Sequence, residues 1–241
     1  MPNPIVELVR EEMQWFREVR AEFPSLFPIE QDAPTLYPMP FFGDIRRADV
    51  LTMTLNPSWK EFSPARCWPS GLDADALTTR LLHYFDIPHP SPHPFFAYRQ
   101  PMLNHISRSY RNSVAHVDLL SIPTLRPGAD GMSPQQRQLL LALANQNARR
   151  LQRVLNLACL TKIILLWNLT VGDGENGQWT VWGKATEHVP LFQNHIASDG
   201  SVLPLLQANN PDALANRVAN QRDEIREYLV TGPRLCHANY G

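Results

Sequence analysis

Val50-Leu51-Thr52-Met53-Thr54-Leu55-Asn56-Pro57-Ser58 is the stretch on which the fold turns. A run of apolar and β-branched residues enters an asparagine, a proline and a serine. The run is too short for a helix and stops at strong turn formers. It reads as a buried strand, 49–55, that ends in a loop. Ser113 to Leu120 repeats the pattern and stops at Ser121-Ile122-Pro123-Thr124. Lys162-Ile163-Ile164-Leu165-Leu166-Trp167 is the third and most apolar run. Val189 to Gln193 is a further strand candidate, weakened by Pro190.

Helical signals fill the spaces between these runs. Asn3-Pro4 pairs a cap residue with a first-turn proline, and Ile5, Val9, Met13, Phe16, Val19 and Phe23 follow at helical spacing. Residues 72–86 and 97–110 suggest two helices. Ser133-Pro134-Gln135-Gln136 is a capping box that opens a long helix to about Leu157. Asn210-Pro211 caps a last helix over 211–230. Gly172 to Gly177 reads as a turn. Strands alternating with helices predict βα units, hence a three-layer α/β/α sandwich around a mostly parallel sheet. The runs at 49–55, 114–120 and 162–167 are expected to be neighbours. Ligands bind such sheets at the carboxyl ends of their strands, so the positions just after residues 55, 120, 167 and 193 mark the place for chemistry.

Composition narrows the function classes. The chain has 241 residues, 44% of them hydrophobic and 19% charged, with a formal net charge of −1. It is therefore no globally basic nucleic-acid binder, and any polyanion site is a local patch. The basic residues are nearly all arginine, with Lys60, Lys162 and Lys184 the exceptions. Cys67, Cys159 and Cys236 are too few and too scattered for a disulfide scaffold or a four-thiolate metal site. No apolar run reaches membrane-spanning length and Pro2 to Phe23 lacks the features of a signal peptide, so a cytoplasmic location is expected. The 22 prolines outnumber the 11 glycines and cluster in long loops. A single domain over 1–241 is expected, with a helix and proline-rich lead-in at 1–40, a core at 41–200 and a helical extension at 201–241.

Four segments taken together resemble the uracil-DNA glycosylase superfamily. Thr54-Leu55-Asn56-Pro57-Ser58 stands where that family carries its first motif, and is similar to the asparagine-proline form found in the mismatch-specific and single-strand-selective branches. Leu119-Leu120-Ser121 matches the end of the second strand. Leu165-Leu166-Trp167-Asn168 matches the third, and His195-Ile196-Ala197-Ser198 stands near the second catalytic motif, which normally has a proline after its histidine. His188-Val189 also has a counterpart in the uracil-specific branch. A literal His89-Pro90-Ser91-Pro92 precedes the second strand and reads as a loop.

The resemblance implies a DNA partner, no obligate protein partner, and hydrolysis of a base–sugar bond without metal or cofactor. A flipped-out base must be held in a pocket. Asn56 is expected to orient the attacking water through its amide, although an amide has no useful proton affinity. His195 is expected to donate a hydrogen bond to the leaving base. Ser121 stands where the family reads the base edge with asparagine, and Ser58 where the uracil-specific branch blocks pyrimidine C5 with tyrosine. A serine there leaves the C5 side open, which fits a C5-modified pyrimidine such as the glucosylated hydroxymethylcytosine of phage DNA and an anti-phage role. Trp68, or failing it Phe62, is expected to stack on the base. Arg46, Arg47, Lys60, Arg66 and Ser198 are candidates for phosphate contacts.

Structural roles compete for several of these residues. Asn56-Pro57 also suits a plain turn, Ser121 a cap before Pro123, and Trp68 a core position. Asp44 reads as a turn residue, and Arg149, Arg150 and Arg153 as a solvated helix face. His83, His89 and His93 lie among prolines that deny them a helical ligand face. Uracil or mismatched-thymine repair, a catalytically silent DNA-binding relative and an unrelated nucleoside hydrolase are the rival functions.

Overall fold

In the computed structural model, four parallel strands form the sheet that organises the chain, in the order 114–118, 50–54, 163–167 and 205–208. The structure describes residues 3–86, 92–125, 132–167, 170–172, 178–180, 205–208 and 210–235. Central strand β1 (Val50–Thr54) pairs with β2 (Val114–Asp118) on one side, from Val50↔Val114 to Thr54↔Asp118. On the other side it pairs with β3 (Ile163–Trp167), from Val50↔Ile163 to Met53↔Leu166. The three runs expected to be neighbours are therefore neighbours. A small antiparallel pair is formed by β4 (Thr170–Gly172) and β5 (Gln178–Thr180), and residues 173–177 of the expected turn lie outside the described residues. The sheet's outer strand is β6 (Leu205–Ala208), paired with β3. This strand lies in the stretch expected to be purely helical. Four residues with one glutamine among them are too brief a pattern for periodicity to detect. Val189 to Gln193 lies outside the described residues.

Helix α1 (Pro4–Glu22) starts where Asn3 Oδ1 accepts from the Ile5 amide at 3.1 Å. Its Ile5, Leu8, Val9, Trp15, Phe16 and Val19 are buried, so the amino-terminal segment belongs to the core rather than leading into it. Helix α2 (Ala74–Leu82) is capped by Asp73. Helix α3 (Pro94–Asn104) begins earlier than its apolar pattern suggests, because Pro94 suits the first turn and His93 Nδ1 accepts from the Phe95 amide. It ends before Ser107, whose φ of 57° breaks the helix. Helix α4 (Pro134–Leu157) carries the full capping box. The expected last helix is two: α5 (Pro211–Asn220) and α6 (Arg222–Thr231) break at Gln221.

The chain steps from β1 to β2 in one direction and from β2 across to β3 in the other. Right-handed crossovers put the β1–β2 connection and the β2–β3 connection on opposite faces, as a three-layer sandwich requires. Helix α3 packs against α5, which also touches β3 and β6, while α1 packs against α2 and α4. Among the described residues no helix is long and apolar enough to cross a membrane.

Gly43 fixes how the chain enters this sheet. Its φ is +85°, its amide donates to Leu81 O at 2.8 Å, and a Cβ there would sit 2.8 Å from the Phe85 ring. Gly71 has a similar φ of +72° with nothing within 4 Å. Gly71→Ala should cost about 1–2 kcal/mol, from the left-handed backbone alone. Gly43→Ala should cost about 1–3 kcal/mol more, because the Phe85 ring must also move. Denaturant midpoints of the two variants measure the difference, and equal midpoints would show that the close approach carries no weight.

Candidate active site at the carboxyl ends of the strands

Asn56 lies two residues beyond β1, at the carboxyl end of the sheet. Its Nδ2 donates to Pro57 O at 3.1 Å and to Thr124 Oγ1 at 2.9 Å. Thr124 is fully buried, and its own hydroxyl donates to Leu125 O at 3.0 Å. Both neighbours of Nδ2 are thus acceptors toward it, which fixes which end of the amide is nitrogen. The amide's two donors are committed, and its carbonyl oxygen is held on the other side of the group. The segment itself is pinned by a parallel bridge between Ser58 and Thr124. Ser58 also caps the short 3-10 turn Trp59–Phe62, its Oγ accepting from the Lys60 amide at 3.3 Å.

Past this turn the chain buries a carboxylate. Glu61 accepts from Arg66 Nη2 at 3.0 Å on both oxygens and from Trp68 Nε1 at 3.1 Å. Burial pushes the Glu61 carboxyl up, against the pull of Arg66. Arg66 also reaches Tyr84 Oη at 3.3 Å, and burial holds the Tyr84 hydroxyl well above its ordinary range. This ion pair binds the loop after β1 to the end of α2, and removing one partner would leave a buried charge uncompensated.

Several residues with expected roles are engaged elsewhere. Arg66 is committed to Glu61, so it is not an open phosphate contact. Arg46 forms a fork with Asp44, at 2.8 Å on each arm. Arg46 and the exposed Arg47 precede β1 and sit toward the amino-terminal edge of the sheet, away from Asn56. Lys60 alone of the four described cationic candidates is exposed at the Asn56 end, its Nζ 5.9 Å from the Trp59 ring centre. Phe62 is 2% exposed and Trp68 8%. They pack on each other at 4.9 Å and on Tyr37, while the Arg80 guanidinium lies 4.5 Å from the Trp68 ring centre. Both rings are core rather than stacking platforms. Trp59, next to Ser58, is half-buried and is not enclosed as Trp68 is. Nothing in a tryptophan-rich stretch distinguishes Trp59 from Trp68 before the chain is folded. His195 and Ser198 lie outside the described residues, as do His188, Asn168 and the His89-Pro90-Ser91 stretch. His83 pairs with Asp86 at 3.2 Å on the surface.

Ser121 is at the expected end of the sheet, buried, with its carbonyl accepting from the Met39 amide at 2.6 Å. Its hydroxyl donates to Glu12 Oε2 of α1. Glu12 sits inside the apolar face of that helix, 1% exposed, with Arg150 Nε 3.4 Å from its other oxygen. Arg150 itself lies over the Trp15 ring at 4.3 Å, so it packs between helices instead of lining a solvated face. Arg153 pairs with Glu11 at the surface.

A second group of polar side chains lies beneath Asn56, between β1 and β2. Thr52 and Thr54 share one sheet face with their register partners His116 and Asp118. Thr52 Oγ1 is 2.8 Å from His116 Nδ1 and 3.1 Å from Tyr110 Oη. His116 Nε2 is 3.2 Å from Asp118 Oδ1, which also accepts from Thr54 Oγ1. Burial pushes the Tyr110 hydroxyl up, so it keeps its proton. Phe42, Phe95 and Phe96 close around the imidazole at 5.3–5.6 Å. The signal for this group is in the sequence: polar residues at alternate positions in strands otherwise wholly apolar must find partners across the sheet.

Desolvation, the largest influence on Glu12, raises its carboxyl above the ordinary glutamate value of 4.5, outweighing Ser121 and Arg150. A raised folded-state value means that the folded chain holds this proton more tightly than the unfolded chain. The resulting stability is full below about pH 4.5 and is lost as pH rises through the folded value. Glu12→Gln cannot lose that proton. Its unfolding free energy relative to the native chain should therefore improve steadily from pH 4 to pH 7 in urea titrations. A difference independent of pH would show that Glu12 titrates as it does in the unfolded chain. No protein-family model matches this chain, and a search of curated proteins returns no relative.

Proposed function

We propose that the protein is a monofunctional DNA glycosylase that flips a pyrimidine out of DNA and hydrolyses its N-glycosidic bond, leaving an abasic site. The observation that carries the reading is the Asn56 amide at the carboxyl end of the central strand. Its two donors are tied to Pro57 and Thr124, which leaves an oriented oxygen acceptor. An acceptor locked in this way can hold a water molecule by its hydrogen, with the water oxygen turned toward C1′ of a bound nucleotide. The four-segment resemblance to the uracil-DNA glycosylase superfamily supports the same assignment. In this reading His195 stabilises the departing base and Lys60 meets a phosphate.

Ser58 supports a pyrimidine carrying a substituent at C5. Its small side chain is turned to cap Trp59–Phe62 and leaves no ring in the position where the uracil-specific branch has tyrosine. The favoured substrate is a hydroxymethylated or glucosylated cytosine of the kind found in phage DNA. Two observations favour a non-hydrolysing DNA-binding relative: the Ser121 hydroxyl is engaged by Glu12, and Phe62 and Trp68 are closed into the core.

Single-turnover assays on single- and double-stranded oligonucleotides separate the readings. The native chain should yield abasic sites at C5-substituted cytosine, and Asn56→Ala should lower the rate about 10²–10⁴-fold with DNA affinity retained. Binding without excision of any base would establish the silent relative. Ser58→Tyr should abolish excision of the C5-substituted base while sparing any activity on uracil. Equal losses on both bases would remove Ser58 from substrate selection.

A further inference from the structure

Hydrolysis at C1′ releases a proton that Asn56 has no means of accepting. An amide orients water but is not a base at neutral pH. The sheet carries a carboxylate at the same end. Asp118 is the last residue of β2 and the register partner of Thr54, two residues before Asn56. The pairing continues beyond it: the Leu119 amide donates to Thr54 O at 2.9 Å and the Leu120 amide to Leu55 O at 2.8 Å. Asp118 and Asn56 therefore ride on one hydrogen-bonded ribbon and keep a fixed relation.

The group behind Asp118 is continuous. Thr52 Oγ1 donates to Ala115 O at 3.3 Å and is also hydrogen-bonded to Tyr110 Oη at 3.1 Å and His116 Nδ1 at 2.8 Å. The other ring nitrogen, His116 Nε2, is hydrogen-bonded to Asp118 Oδ1 at 3.2 Å. Thr54 Oγ1 donates to the same oxygen. One carboxylate oxygen is thus clamped from two sides, while Oδ2 accepts no hydrogen bond among the described residues. The placement is costly: Asp118 is 3% exposed and His116 2%, and an apolar pair there would be cheaper to bury. A polar device of this kind, at the end of the sheet where ligands bind, has the layout of a base with its orienting histidine and not that of a simple core contact.

Resting on the glycosylase reading above, we propose that Asp118 is the general base of the reaction, with His116 and Thr54 as its positioning residues. The water held by Asn56 forms its oxygen bond to C1′ as the C1′–N bond breaks. The electron pair of that bond leaves on the base, and the proton of the water passes to Asp118 Oδ2. From there it is returned to solvent or to the departed base.

The test uses oligonucleotides carrying 5-hydroxymethylcytosine or its glucosylated form, under single-turnover conditions. Asp118→Asn should lower the rate about 10²–10³-fold with the dissociation constant for DNA unchanged. In Asp118→Ala, added formate should restore part of the lost rate, because a small carboxylate can occupy the vacated position. Formate should do nothing for Asn56→Ala. Asp118→Glu keeps the charge with one more methylene and should retain more activity than Asp118→Asn; its rate also decides the matter where the asparagine variant fails to fold. A native rate in Asp118→Asn overturns the role of Asp118 and leaves the glycosylase intact. Loss of activity that tracks loss of thermal stability, with no rescue by formate, assigns the group to structure alone and also overturns it. Absence of excision by the native chain on every base overturns the glycosylase reading, and this proposal with it.

Discussion

Strand β1 is hydrogen-bonded along both edges and buried on both faces, and the rest of the molecule is arranged around that constraint. A strand so placed cannot shift register without moving its apolar side chains to the wrong face. Whatever follows its last residue is therefore delivered to one point at the carboxyl end of the sheet. Asn56 occupies that point. The Ser58–Thr124 bridge and the Asn56–Thr124 hydrogen bond then lock the emerging loop to the loop after β2.

The same burial creates the polar chemistry beneath the site. Thr52 and Thr54 are taken from water in a strand whose neighbours are also buried, so each hydroxyl needs a partner within the protein. His116 and Asp118 supply those partners from β2, and Tyr110 ends the chain. The requirement is mutual, since a buried imidazole beside a carboxylate is tolerated only when its nitrogens are engaged. Aromatic rings from α3 and from the Phe42 segment close the compartment.

Two further buried carboxylates attach loops to helices. Glu61 binds the segment after β1 to Arg66, Trp68 and the end of α2, and Glu12 binds α1 to Ser121 and α4. Neither is an efficient source of stability, because desolvation opposes the attraction in each case and holds both carboxyls above their ordinary value. Their effect is on geometry. The loops that flank Asn56 are irregular and proline-rich, and a hydrogen-bonded buried charge gives them one arrangement. Residues with the right chemistry for phosphate or base contact, Arg66 and Ser121, are used for this purpose instead.

The strands β1, β2 and β3, their adjacency, the capping of α1 and α4, and the position of Asn56 were legible in the sequence. All depend on local patterns: unbroken apolar runs, cap residues beside prolines, and a turn at a strand end. Strand β6 was not legible, because its four residues acquire their conformation from pairing with β3. The break between α5 and α6 was equally invisible in a continuous apolar stripe. Side-chain partnerships at long separation were decided only by tertiary structure. Ser121 lies far along the chain from Glu12, and a serine after a strand looks the same whether its hydroxyl faces a ligand or a helix. Trp68 and Trp59 differ in role because one is enclosed by Tyr37, Phe62 and Arg80 and the other is half-buried beside Ser58. His116 and Asp118 stood in the sequence as polar interruptions of a strand. Pairing with Thr52 and Thr54 made them a connected group, because burial forces each polar atom to find a partner and the sheet register determines which one it finds.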